Sequence, residues 1–397
     1  MKTLILTREY PPHVYGGAGV HVEYLTRELS RLQEVEVRCF GEQDLREDRL
    51  SVRGYRLPEG LLDGAPELFT SPLGTLARCV SFAATPSGAD VVHCHTWYSH
   101  FGGILCKLLY DLPLVVSIHS LEPLRPWKRE QLGRGYEVSS WVERTTLETA
   151  DRIIAVSEET KRDVLEGFRV HADRIAVIPN GIDVDEYRYD PSREALERYG
   201  VPPGLPYVLF VGRITRQKGL PHLLDAVEHF DPGTGVVLCA GEPDTEEIGR
   251  EVEAHVASLR QEREHVYWIR EMVTRRAAIQ LYSHSALFCC PSIYEPFGII
   301  NLEAMACNAP VVASAVGGIK EVVVPEETGL LVPYDPADAE GFARGLAAAV
   351  NRLMGDPELR RRMGAAGRRR AEDRFSWKAV AAQIHAEYRR VTGSASS

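Results

Sequence analysis

Short apolar runs rich in β-branched residues recur along the whole chain, and each breaks into a loop holding glycine, proline or histidine. Lys2–Thr7, Val35–Phe40, Ala89–His93, Leu114–Ile118, Arg152–Ser157 and Ala176–Pro179 are the runs of the first half. Tyr207–Val211, Val236–Ala240, Val266–Ile269, Ala286–Cys290, Val311–Ala313 and Gly329–Val332 are those of the second. Runs this short and continuous read as buried strands. Between them apolar residues return at helical spacing, as Val22, Leu25, Leu29 and Leu32 do across Val20–Leu32, and as they do in Leu220–Val227. Strands alternating with helices predict α/β domains, each a doubly wound parallel sheet. At 397 residues the chain is long enough for two such domains with full cores. Residues 1–185 form the first in this reading and 186–375 the second, with the Pro- and charge-rich segment 185–205 as linker. Ala339–Leu353, Pro357–Phe375 and Trp377–Arg390 read as helices, residues 41–75 carry little periodic signal, and Ser394 onward reads as a frayed tail.

Composition removes several classes of function. The 46 basic and 56 acidic residues leave a net charge of −10, which argues against nucleic acid and anionic membrane as partners. On the same ground Arg360–Arg362 and Arg368–Arg370 read as a solvated helix face. No apolar run approaches the ~20 residues that span a bilayer. The opening MKTLILTREYPP is apolar only briefly before Arg8 and Glu9, too short for a signal peptide. Eight cysteines are scattered without disulfide or zinc spacing, as expected of reduced thiols in a cytoplasmic protein.

The densest chemistry lies in Pro291–Ala306, PSIYEPFGIINLEAMA. Glu295 falls in the loop after a strand, and Glu303 falls near the second turn of a helix starting at Gly298. The N–H groups of Phe297, Gly298, Ile299 and Ile300 would point out of that helix start, toward hydroxyls or a phosphate. Two separated carboxylates suit a ligand with two polyol ends; the bland alternative is a helix cap and a surface residue. Arg213 and Lys218, five apart in a loop, could clamp a diphosphate or stand solvated. Gly16-Gly17-Ala18-Gly19 follows the first strand and precedes a helix, an arrangement that suits either a tight turn or a phosphate loop. His93 and His95 end a strand with no third metal ligand near in sequence. Asp183-Val184-Asp185 matches a metal-binding DxD only superficially. Arg144, on a helix over Gly135–Ala150, is a candidate for an acceptor phosphate or for a surface ion pair.

These residues resemble a known family. The setting EPFGIINLE, one Glu, seven residues and a second Glu, resembles the signature of glycosyltransferase family four, retaining enzymes of the GT-B fold. The segments YGGAGVH, SIHSLEPLRPWK, IPNGIDVDEY and the GR…KG of residues 212–219 extend the resemblance over essentially the whole chain. It implies two Rossmann-like domains facing a central cleft, with residues from 376 onward packing back on the first. It implies donor binding by Gly17, Arg213, Lys218, Glu295, Phe297, Gly298, Ile299 and Glu303, the last holding the ribose. His119, Arg213, Lys218 and Glu295 are the implied catalytic residues, and Gly16, Gly17, His95 and Arg144 the implied acceptor residues. IPNGIDVDEY resembles the turn between the domains, so no metal and no other cofactor is expected. The expected reaction moves glucose from ADP-glucose to glucose 1-phosphate, giving α-maltose 1-phosphate. Arg144 and Arg125-Pro126-Trp127-Lys128-Arg129 make a cationic neighbourhood with one aromatic near His119, which favours that acceptor over a polymer. Elongation of an α-1,4-glucan from ADP-glucose is the alternative. A nucleotide-sugar epimerase and a non-catalytic nucleotide-sugar binder are readings of a different class. Self-association into a homodimer is left open.

Overall fold

The computed structural model describes residues 1–14 and 16–393, except the side chains of residues 130 and 131. Tyr15 of the glycine segment and the tail expected from Ser394 lie outside the described residues. The chain forms two compact units, Met1–Gly181 with Trp377–Ser397, and Ile182–Ser376. The division falls ahead of the expected 185. Ile182 donates its N–H to the Phe375 carbonyl at 2.7 Å and pairs with Ser376, which ties both crossing segments into the second unit.

Among the described residues the first unit is built on an eight-stranded sheet. Its strands are β1 (Lys2–Leu6), β2 (Glu34–Phe40), β3 (Asp44–Arg46), β4 (Leu50–Tyr55), β5 (Val91–His95), β6 (Leu114–Ile118), β7 (Arg152–Ala155) and β8 (Ile175–Val177). They are ordered β3-β4-β2-β1-β5-β6-β7-β8 and run parallel except for the β3–β4 pair at the edge. β1 therefore lies between β2 and β5, where the chain switches from building one side of the sheet to building the other. Ligands of such sheets sit at the carboxyl ends of the strands at this point.

Side chains alternate along β1. Ile5 joins a core with Val22, Leu25 and Leu29 of the helix Gly17–Leu29, and with Val380, Ile384 and Tyr388 of the helix Trp377–Val391. Leu4 and Leu6 join the opposite core, with Phe82, Cys106 and Leu147. Both faces of a parallel sheet are covered, so its strands read as continuous apolar runs. The first helix starts three residues before the expected Val20 and ends at Leu29, which leaves Leu32 outside it and 46% exposed. Helices Glu67–Ala83 and Trp97–Tyr110 have no counterpart in the sequence expectations. The first buries Pro72, Gly74 and Thr75, residues that hide an apolar period. Pro72 packs closely on the helix that opens at Gly135, where a Cβ would stand 2.9 Å from it.

The second unit has a six-stranded parallel sheet among the described residues, β11-β10-β9-β12-β13-β14 in order. The strands are β9 (Tyr207–Ile214), β10 (Gly235–Pro243), β11 (Val266–Ile269), β12 (Leu287–Cys290), β13 (Val311–Ser314) and β14 (Gly329–Val332). β9 runs on to Ile214 instead of stopping at Val211, so Arg213 belongs to the strand. The supposed linker holds a short helix, Glu194–Arg198, whose buried Leu196 and Ala195 N–H bond to Gln280 make it part of this unit. All eight cysteines are buried and free. No helix among the described residues is long and apolar enough to cross a membrane.

The arginine runs on the helix Pro357–Arg374 correct one expectation. Arg361, Arg362 and Arg369 are exposed, but Arg368 is not a solvated residue. Its guanidinium donates to the carbonyls of Tyr187 (2.6 Å), Ala306 (2.8 Å) and Val184 (3.0 Å). Arg370 likewise donates to the carbonyls of Val322 (2.8 Å) and Glu321 (2.7 Å). Arg368→Met keeps the packed stem and removes the donors from three carbonyls, which should cost about 1–3 kcal/mol. A fall in thermal unfolding midpoint measures it; a midpoint equal to wild type would restore the solvated-face reading.

Candidate active site

In the second unit two loops are forced together by glycines. Gly219 has φ +65°, and a Cβ there would lie 2.0 Å from the Pro291 carbonyl oxygen. Ile293 donates its N–H to the Gln217 carbonyl at 2.9 Å, locking the basic loop onto the loop after β12. From the other side Gly317, φ +50°, approaches so near that a Cβ would lie 2.0 Å from the Glu295 carbonyl oxygen, and Gly318 N–H bonds to that oxygen at 3.0 Å. Only glycine tolerates both the positive φ and the contact. The result is that Lys218 Nζ meets Glu295 Oε2 at 2.7 Å, with Ser292 Oγ donating to the same oxygen at 3.3 Å. Both side chains are largely buried, so this charge-assisted bond is little screened.

Arg213 does not join that pair. From the end of β9 it makes an ion pair with Asp244, 2.8 Å away just beyond β10. Glu303 lies on the helix Ile299–Ala306, its Oε1 accepting from Tyr187 O–H at 3.1 Å and its Oε2 from Tyr282 O–H at 3.0 Å. Burial raises its pKa, and the two hydroxyls oppose the rise. Each carboxylate oxygen keeps lone-pair capacity beyond one phenol. Phe297 contributes no side chain to a ligand: it is buried against Phe375, ring centroids 5.9 Å apart. Ile299 is buried as well, and Gly298, φ +94°, is the N-cap residue of the helix. At these three positions only backbone can face a ligand.

In the first unit the glycine segment is not a free loop. Gly16 is the N-cap residue, Gly17 opens the helix, and Gly16 N–H donates to Glu9 Oε2 at 2.8 Å. No atom stands within 4 Å of a Cβ built at Gly16 or Gly17, so backbone there is approachable. His95 ends β5, completely buried, and its Nδ1 is 3.0 Å from Nε2 of His119, which follows β6. The structure adds His21, whose ring lies 4.7 Å from that of His119 and whose Nδ1 bonds to Asn180 Oδ1 at 2.6 Å. His93 is bound by Tyr388 O–H (2.6 Å) and Ser117 Oγ (2.9 Å). Burial pulls His21 down to about 4 and His93 to about 3, and holds His95 and His119 well below the ordinary histidine value. The four rings are neutral at pH 7.

One nitrogen each of His21, His95 and His119 lie within 4.8 Å of one another, close enough to consider a metal ion. Tetrahedral zinc at ~2.0–2.1 Å from each ligand needs nitrogens about 3.4 Å apart. The cluster is looser than that, and the His95–His119 hydrogen bond already occupies one lone pair. Asp183 Oδ1 accepts the N–H groups of Asp185 and Glu186, both at 3.0 Å, so it caps a turn. Arg144 lies on the helix Gly135–Thr149. Half exposed, it faces Glu148 at 3.6 Å, the Gly167 carbonyl at 3.5 Å and the Phe168 ring at 5.4 Å. Of its two sequence readings, the surface ion pair describes it.

Family models match both halves: the model described as Glycosyltransferase Family 4 over residues 15–186, and the one described as Glycosyl transferases group 1 over residues 192–370. The chain belongs to glycosyltransferase family 4. It is 47% identical over 396 residues to the α-maltose-1-phosphate synthase of Mycolicibacterium smegmatis, covering 99% of this chain and 100% of that one. It is 30% identical over 412 residues to a glycogen synthase of Mycobacterium tuberculosis, covering 96% and 92%. Among solved structures, sucrose-phosphate synthase from Thermosynechococcus elongatus matches with a TM-score of 0.80 and 27% identity over 100% of both chains. The two parallel-sheet units are those of a GT-B glycosyltransferase, as the motifs of family 4 implied.

The neutral histidines give a family-4 first unit a pH dependence with a fixed sign. An unfolded histidine takes up a proton near 6.5, whereas folded His93 resists protonation to about 3. The unfolded chain therefore binds more protons between those values, and His93's contribution to stability, complete above about 6.5, is lost as pH falls through that window. Between about pH 7.5 and about pH 5, wild type should lose about 2 kcal/mol more stability than His93→Gln. Urea unfolding at both pH values measures it; equal losses would mean that His93 is not held neutral.

Proposed function

We propose that this glycosyltransferase moves glucose from ADP-glucose to the 4-hydroxyl of glucose 1-phosphate, with retention, to form α-maltose 1-phosphate. The observation that carries the reading is 47% identity to an α-maltose-1-phosphate synthase over the full length of both chains. Chemistry in the second unit supports a nucleotide-sugar donor. Lys218 supplies a cation for the leaving diphosphate, Glu295 beside it accepts hydroxyls of the sugar, and Arg213 adds charge from the end of β9. Glu303, carrying two phenol bonds, accepts the ribose hydroxyls. In the first unit neutral His119 offers a ring nitrogen to the sugar.

The donor's C1–O bond to the diphosphate breaks and a bond from C1 to the acceptor O4 forms on the same face. The acceptor's proton passes to the departing phosphate oxygen, so no protein nucleophile and no metal ion is required. Negative charge grows on the diphosphate in the transition state, where a fixed ammonium acts most strongly. A second reading, elongation of an α-1,4-glucan, is favoured by the 30% identity to a glycogen synthase.

ADP release at fixed ADP-glucose separates the two: glucose 1-phosphate should be the faster acceptor, and faster turnover of glycogen would reverse the choice. A new nucleotide sugar formed without acceptor would instead indicate an epimerase. Lys218→Ala should lower kcat by about 10²–10³-fold with an intact fold; near-normal turnover would remove Lys218 from the leaving-group role. Activity should survive exhaustive EDTA treatment, and a loss reversed by Mn²⁺ would require a metal.

A further inference from the structure

Arg144 leaves an acceptor phosphate without a cation, and the first unit offers others. Arg8 follows β1, and its guanidinium lies over the Tyr98 ring, 4.3 Å from the centroid. Arg78, on the helix Glu67–Ala83, lies over Phe40 at the end of β2, 4.9 Å from the centroid. These two rings meet edge to face with centroids 6.4 Å apart, so they carry the two guanidiniums on one aromatic support. Among the described residues neither arginine makes an ion pair; Arg78 donates only to the Gly74 carbonyl, and its Nε is buried without a partner. After burial, the nearness of Arg8 is what lowers the Arg78 pKa.

A third guanidinium approaches from the loop after β6. Arg125 donates to Ser120 Oγ at 3.1 Å, next to His119, and its Nε too is buried without a partner. Two carboxylates, Glu9 and Glu122, stand in this region. Glu9 accepts the Gly16 N–H, and Glu122 accepts the Ser139 hydroxyl at 2.8 Å while standing 3.7 Å from Arg125. Three guanidiniums outnumber the two carboxylates beside them, Glu9 and Glu122, and an added anion offsets the like-charge repulsion that remains. The cluster stands at the carboxyl ends of β1, β2, β5 and β6, where the strand order switches and the glycine segment begins. A planar guanidinium fork binds phosphate through paired N–H groups, and an arginine stacked on an aromatic ring has its fork already oriented.

We propose that Arg8 and Arg78, with Arg125 as a third donor, form an anion site that holds the phosphate of the acceptor. Recognition of a sugar phosphate as acceptor rests on the reading above; the anion site itself does not. Two measurements on the full chain separate them: calorimetric titration with inorganic phosphate, and kinetics with glucose 1-phosphate. Wild type should bind phosphate, and Arg8→Gln and Arg78→Gln should each weaken that binding about tenfold or more. Both should raise KM for glucose 1-phosphate by a similar factor, with KM for ADP-glucose and kcat within about twofold of wild type. Arg8→Lys, which keeps the charge and loses the fork, should fall between and guards against a fold defect in the glutamine variant. Phosphate affinity that survives both glutamine variants, or that is lost in Arg144→Gln instead, overturns the site. Phosphate binding that depends on Arg8 and Arg78 in a wild type that does not use glucose 1-phosphate upholds the anion site and overturns the acceptor.

Discussion

Backbone held against backbone is the constraint on which the second unit's chemistry depends. Gly219 touches the Pro291 carbonyl and Gly317 the Glu295 carbonyl at distances that leave no room for a Cβ. The three loops after β9, β12 and β13 are thereby packed into one layer. Lys218 and Glu295 come from points 77 residues apart, yet they meet with little freedom left to lose. Their mutual attraction in a largely dry setting keeps both charges in place, so a ligand meets a site already organised.

The first unit works by the opposite means. Its strand ends present His93 and His95, and the following loop presents His119, all stripped of charge by burial. A neutral imidazole can donate on one nitrogen and accept on the other, as His93 does between Tyr388 and Ser117, without adding charge. Cations are kept to one side, on Tyr98 and Phe40. Neutral rings and guanidiniums are thus kept apart within one unit.

Much of this was legible because parallel strands buried on both faces announce themselves as continuous apolar runs. The ends of such strands and the loops after them are where Glu295, Lys218, His95 and His119 lie, a placement legible in the sequence; the roles expected of them came from the resemblance to the family. What escaped had weaker local signals. The helix Glu67–Ala83 hides behind Pro72 and Gly74, and Arg368 looked like its exposed neighbours because carbonyl partners leave no trace in sequence. Tyr187, Tyr282 and Asp244 reach their partners from distant segments, and no spacing rule connects them. His21 was visible as the last residue of YGGAGVH, two residues past the glycine segment that drew attention. For Arg144 a helix over Gly135–Ala150 was expected and Gly135–Thr149 is observed, but an apolar period does not say what a polar residue on it meets, here Glu148 and the Gly167 carbonyl.

The helix Trp377–Val391 is made last and belongs to the unit made first. It supplies Trp377, Val380, Ile384 and Tyr388 to the core beneath β1, with Trp377 stacked on Tyr24 at 5.7 Å and Tyr388 bonded to His93. During synthesis, the whole of the second unit emerges while that core still lacks one wall. The earlier half therefore waits, with an apolar face uncovered, for the length of time the ribosome takes to add some two hundred residues, roughly 10–40 s at 5–20 residues per second. A nascent chain arrested anywhere before Trp377 holds a first unit that lacks this wall of its core.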